Sequence, residues 1–184
     1  MRKVVAGMTV SLDGFVADAD GSAAALYPDL AELQDGPYLR AVQEETGAVL
    51  MGRRTFEMAP DPDAYADVYE FQVPIVVVTS APPAVLPRSN DRLSFTFVTG
   101  GLEAALARAV GLAGERAVTV VGGPDLTGQL LAAGLVDELR VDVMPVLLGR
   151  GTRLFDGVGP VELEKLGVDD VGVRTGLRFR VVRG

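Results

Sequence analysis

The chain has no cysteine, no histidine and no tryptophan. Those absences exclude thiolate nucleophiles, disulfides, Cys/His zinc sites and Ser-His-Asp triads, and no metal site is expected. Acid–base chemistry near neutral pH is left to a tuned carboxylate, a tyrosine, a lysine or water, unless a bound cofactor carries the difficult step. Basic residues are outnumbered as well: 17 Lys and Arg against 25 Asp and Glu leave a formal charge of −8. Nucleic acid is thereby disfavoured, since a phosphate backbone demands a basic face and base stacking demands aromatics. No apolar run approaches the ~18 residues of a membrane span. Runs such as Pro74 to Val78 and Ala117 to Val121 have the length of strands. The apolar start is too short, and too soon broken by Asp13 and Asp18, for a signal peptide, so a cytoplasmic location is expected.

What remains is an ordinary globular composition, 48% hydrophobic over 184 residues, read as one domain spanning 1–184. Lys3 to Val10 alternates and predicts a strand. Pro37 to Thr46 predicts a helix, and Ala48 to Met51 a buried strand running into Gly52. Pro74 to Thr79, Ser94 to Thr99 and Ala117 to Val121 predict further strands. Leu102 to Leu112 carries a clear amphipathic stripe, and Asp125 to Ala133 predicts a helix closed by Gly134. Glu138 to Leu148 reads as a long strand interrupted at Pro145. Val161 to Lys165 and Arg174 to Val182 read as an antiparallel hairpin at a sheet edge. Strands alternating with helices imply α/β, a mostly parallel sheet with helices on both faces. The pairs Leu130-Leu131 and Leu147-Leu148 are expected in the core. The hairpin and the apolar stretch Val143 to Leu148 suggest a homodimer that buries a sheet edge.

Chemistry is expected at the carboxyl ends of the buried strands, where open α/β sheets bind ligands. After Val121, the pair Gly122-Gly123 lets backbone approach a phosphate, and the following helix offers free N–H groups. A plain strand-to-helix turn would look the same, and G-x-G-x-x-G is absent. After Met51, Gly52-Arg53-Arg54-Thr55 supplies a free turn, a hydroxyl and two guanidiniums able to clamp a phosphate, or simply a solvated basic pair. Thr79-Ser80 ends a third strand with two hydroxyls. Together these suggest an anionic ligand spanning several strands. Asp13 could orient a substrate, although Asp13-Gly14 also reads as a turn. Asp35 could face the cleft or cap the next helix.

These segments resemble the dihydrofolate reductase-like superfamily, and most of all its branch related to the C-terminal reductase domain of bacterial riboflavin-biosynthesis deaminase-reductases. The resemblance is carried by Ser11 to Ala17, Gly52 to Glu57, Val120 to Gly123, Leu130 to Leu139, Pro145 to Gly151 and Leu154-Phe155, in order along nearly the whole chain. It implies a three-layer fold on a central mixed sheet with a C-terminal antiparallel hairpin, and NADPH as hydride donor. By that resemblance Gly52, Arg53, Arg54 and Thr55 would hold the cofactor phosphates, with the Arg pair nearest the 2′-phosphate. Thr79 and Ser80 would line the adenosine side. Val121, Gly122 and Gly123 would meet the pyrophosphate, the glycines through a cis peptide, with Leu126 beside them. Ala6 and Val16 would flank the nicotinamide. The acid that dihydrofolate reductases place before the Gly-Arg motif falls on Gly36 here, with Asp35 its neighbour. The implied activity is hydride transfer to a C=N or C=O of a small substrate, of the 5-amino-6-(5-phosphoribosylamino)uracil reductase type, with Asp35 or Asp13 orienting substrate or relaying a proton. A dihydrofolate or pterin reductase, a non-catalytic nucleotide-binding homologue and a phosphosugar-binding enzyme are the alternatives.

Overall fold

Parallel strands covered on both faces carry unbroken apolar runs rather than alternating ones, and the middle of the chain is built from such runs. In the computed structural model, which describes residues 2–182, they form β3 (Thr46–Gly52), β4 (Ile75–Val78) and β6 (Ala117–Val121), joined by β5 (Phe95–Val98). β3 pairs parallel with β4 and with β6, and β4 with β5. The other strands are β1 (Val4–Ser11), β2 (Phe15–Ala17), β7 (Glu138–Met144), β8 (Thr152–Arg153), β9 (Leu163–Val171) and β10 (Arg174–Val181). β1 and β7 are parallel, whereas β10 is antiparallel to both β7 and β9. The order in the large sheet is β5-β4-β3-β6-β1-β7-β10-β9, and β2 with β8 makes a separate ribbon. The α-helices are α1 (Leu30–Asp35), α2 (Pro37–Glu45), α3 (Arg53–Phe56), α4 (Tyr65–Val68), α5 (Leu102–Leu112) and α6 (Pro124–Ala132). Among the described residues no helix is long and apolar enough to cross a membrane.

The chain divides into two compact units. One is Arg40–Gly123 with the N-terminal residues through Val4; the other joins Val5–Leu39 to the segment from Pro124 to the carboxyl end. In the first unit α5 packs on β3 and β4 and buries Ala105, Leu106 and Ala109. The Thr46 hydroxyl, buried at the start of β3, donates to the Val42 carbonyl at 2.6 Å. It therefore accepts from Thr119 of β6 at 2.7 Å, and both hydroxyls are satisfied. In the second unit α6 buries Leu126, Leu130 and Leu131. Gly134, at φ +65°, closes that helix, with its N–H on Leu131 and that of Leu135 on Leu130.

The boundaries predicted for α2, α5, β6 and α6 agree with the structure to within about a residue. Three expectations are corrected. β7 is an interior strand, between β1 and β10, so the apolar stretch after Val143 forms no sheet edge; β9 does. That stretch is also not strand throughout. Val146 N–H turns back onto the Met144 carbonyl at 2.8 Å, and beyond this tight turn Leu147 is 68% exposed rather than core. Between Asp18 and Asp35, to which the sequence pattern above assigns no element, lie a 3-10 turn at Ala24–Leu26 and all of α1.

Candidate functional site

In the first unit the site begins where β3 runs out. Gly52 is level with Val78 of β4, and Leu50 with Val120 of β6. Arg53–Thr55, Thr79–Ser80 and Val121–Gly123 therefore leave the sheet on the same side, at the carboxyl ends of three adjacent parallel strands. α3 is a single turn held down by its last residue. The Phe56 ring packs on Phe97, Phe95 and Tyr65 at centroid distances of 5.3, 5.7 and 5.9 Å. With that anchor buried, Arg53 and Arg54 are left exposed and Thr55 half-buried.

Thr55 faces the turn after β6. The Gly123 N–H donates to Thr55 Oγ1 at 3.3 Å, which leaves the hydroxyl hydrogen for another acceptor. Gly122 has φ +137°, and a Cβ there would stand 2.5 Å from Thr55 Oγ1. Glycine alone permits this backbone and this approach. The described residues contain no cis peptide, so the expected cis link is not made and the Gly122–Gly123 bond is trans. The cradle presents the Thr55 hydroxyl hydrogen and a surface free of side chains, and the exposed Arg53 and Arg54 precede Thr55 in the same helical turn. That donor set fits the phosphates of a dinucleotide.

Beside it lies a recess of about 30 Å³ lined by Arg53, Glu57, Thr79, Ala81 and Phe97 among others. The Thr79 hydroxyl donates to the Ala81 carbonyl at 2.7 Å and accepts from the Ala81 N–H at 3.1 Å, so it shapes the turn. Ser80 is exposed. Arg53 Nε donates to Glu57 Oε1 at 2.6 Å.

The remaining predicted residues belong to the second unit. Ala6 is buried in β1, Val16 half-buried in β2 and Leu126 buried in α6. Asp13 sits in a turn closed by Gly14 N–H on the Ser11 carbonyl at 2.9 Å. Its carboxylate accepts from the Ser11 hydroxyl at 2.6 Å, the Gly149 N–H at 2.7 Å and the Leu148 N–H at 3.1 Å. The Ser11 hydrogen bond, helped by the two backbone donors, holds the Asp13 pKa down at about 2. At neutral pH Asp13 is an anion that pins the 147–149 loop, not a proton donor. Asp35 is the exposed last residue of α1. The cap position weighed for it belongs to the extended Gly36, which precedes Pro37 at the head of α2.

Sequence reasoning missed a buried polar network in this unit. Arg174, on β10, has a fully buried side chain that grips Asp29 through two nitrogens at 2.6 and 2.9 Å. It also reaches Thr9 Oγ1 at 3.2 Å and Asp142 at 3.5 Å. Tyr38 donates to Asp142 at 2.7 Å, and its hydroxyl lies 3.3 Å from where a Cβ on Gly176 would be. The Arg174 hydrogen bond holds Asp29 below the usual carboxylate range, whereas burial pushes Asp142 and Tyr38 up. Asp29 and Tyr38 also line a hollow of about 760 Å³ between α1, α2 and the turn of the β9–β10 hairpin. Its only forewarning in sequence is a carboxylate, Asp142, in the otherwise apolar second half of β7.

A family model describing the RibD C-terminal domain matches residues 2–177. The chain belongs to this family. It is 29% identical over 154 residues to the uncharacterized protein YwjB of Bacillus subtilis, covering 84% of this chain and 83% of that one. A Shewanella protein named for riboflavin biosynthesis superposes with a TM-score of 0.77 at 22% identity, each chain fully covered. A Thermotoga maritima deaminase and 5-amino-6-(5-phosphoribosylamino)uracil reductase superposes with a TM-score of 0.69 at 16% identity, over 98% of this chain and 57% of that one. The RibD C-terminal domain fold is dihydrofolate reductase-like, as the sequence resemblance implied. Its mostly parallel mixed sheet and terminal antiparallel hairpin are those described above.

Proposed function

We propose that this chain is an NADPH-dependent oxidoreductase that delivers hydride to the carbon of a C=N or C=O in a small polar molecule, the reaction type of 5-amino-6-(5-phosphoribosylamino)uracil reductases. The observation that carries the reading is the Thr55–Gly122–Gly123 cradle, with Arg53 and Arg54 exposed in the same helical turn as Thr55. NADPH, when bound, supplies the hydride. Gly52, Thr55, Val121, Gly122 and Gly123 hold its phosphates, Arg53 and Arg54 its 2′-phosphate, and Thr79 and Ser80 its adenosine side. The family resemblance assigns Ala6 and Val16 to the nicotinamide and Leu126 to packing beside the pyrophosphate. Asp13 acts by position, fixing the 147–149 loop, and Asp35 is the carboxylate assigned to proton relay.

The Arg assignment has a sharp test. Arg53→Ala with Arg54→Ala should weaken NADPH by about 10- to 100-fold, the scale of one or two charge-assisted hydrogen bonds. NADH, lacking the 2′-phosphate, should change less than about threefold. Calorimetric titration of both cofactors reads this directly; an equal loss for the two would remove the Arg pair from the 2′-phosphate.

We further propose a homodimer formed through β9, the outer strand of the terminal hairpin. This outer strand exposes Leu166 and Val168, at 37% and 55%, along an edge that, among the described residues, pairs with no further strand. Light scattering at micromolar concentration should give twice the chain mass of 19.3 kDa. A single-chain mass would refute it.

A further inference from the structure

The guanidinium assigned to the 2′-phosphate is already engaged. Arg53 Nε donates to Glu57 Oε1 at 2.6 Å across one helical turn, with both side chains about half-exposed, and both line the same small recess beside Thr79. A carboxylate in that recess has two effects of opposite sign. It offsets the charge of Arg53 and repels a phosphate carrying nearly two negative charges. It is also an acceptor for ribose hydroxyls, the use to which dinucleotide-binding folds put an acidic residue when the ribose is unphosphorylated.

We propose that Glu57 sets the cofactor preference of this site, lowering the advantage of NADPH and admitting NADH at the adenosine end. The proposal rests on the cofactor reading above. Arg53 remains the attraction for the 2′-phosphate, through the nitrogens that Glu57 does not occupy. Glu57 supplies the counterweight, so the native chain discriminates only modestly between the two cofactors.

Glu57→Gln keeps the size and the hydrogen-bonding capacity of the side chain while removing its charge. Titrating the wild type and this variant with NADPH and with NADH, by nicotinamide fluorescence or calorimetry, separates the effects without any turnover. The variant should bind NADPH about three- to tenfold more tightly, the scale of a half-exposed charge interaction with a multiply charged partner. NADH should weaken by about two- to fivefold as the ribose acceptor loses its charge. The NADPH gain should fade at high salt, because a half-exposed pair is screened. An unchanged NADPH-to-NADH ratio would overturn the proposal. So would weaker NADPH binding, which would mean that Glu57 serves only to hold Arg53 in place. A wild type that binds NADPH and rejects NADH altogether would refute this inference while leaving the cofactor reading intact. A wild type that binds neither would remove both.

Discussion

Replacing Gly122 with alanine is expected to weaken cofactor binding roughly 100-fold in a chain that still folds. The new Cβ would stand 2.5 Å from Thr55 Oγ1 and 3.1 Å from Thr55 Cβ, at a φ of +137° that side-chain-bearing residues rarely adopt. Relief requires the turn and α3 to separate, and that separation disperses the donors gathered there. Losing one or two charge-assisted contacts to a phosphate, each worth about 1.5–3 kcal/mol, corresponds to roughly 100-fold in Kd. The strain itself should cost about 1–3 kcal/mol of stability. Two companions separate strain from site. Thr55→Ala added to Gly122→Ala removes the nearest colliding atom, Oγ1, while keeping the Cβ, and should recover part of the stability but none of the affinity. Gly134→Ala, at φ +65° in the cap of α6, imposes comparable backbone strain outside the Gly122–Gly123 turn and should leave affinity unchanged. Urea unfolding and cofactor titration of the variants read the two quantities separately.

Arg174→Met should destabilise the chain by about 3–5 kcal/mol, a large share of the 5–15 kcal/mol typical of a folded domain. Methionine fills much of the same space, so the loss comes from charge. Asp29 and Asp142, each only 15% exposed in their side chains, would face one another without the cation that compensates them. The deficit should be greatest at neutral pH and shrink in acid. In the native chain Arg174 holds Asp29 below the usual carboxylate range, so its stabilising contribution is present above ~4 and is lost as pH falls towards the folded-state value. Without Arg174, both carboxylates take up protons at higher pH, which relieves the penalty. Adding Asp29→Asn and Asp142→Asn should therefore recover more than half of the loss at pH 7. Urea midpoints at several pH values measure this; a pH-independent deficit, or no recovery, would show that Arg174 matters for packing rather than for charge.

The contrast between these two sites explains what could be read from the chain. The Thr55–Gly122–Gly123 cradle is assembled from short segments that each announce themselves: an apolar run too short for a helix, then glycine, then donors. Its parts were legible because strand ends of a parallel sheet necessarily come together. The Arg174 network was not, because Asp29, Asp142 and Arg174 lie on separate elements far apart in sequence, and one sequence carries no sign of which charges pair. Arg53 and Glu57, at helical i,i+4 spacing, were within reach of sequence reasoning. Their importance emerges only when the recess places them beside Thr79. Leu147 was misplaced for a different reason. Hydrophobic pattern does not show that the chain reverses after Met144, nor that Asp13 fixes the loop beyond it.

In the proposed function the first unit holds the phosphates of NADPH. Titrating the wild-type chain with NADPH in a calorimeter at neutral pH tests it most directly. One site per chain with a Kd of about 1–100 µM, the affinity of an ordinary small-molecule site, is predicted; no heat of binding at millimolar NADPH would contradict it.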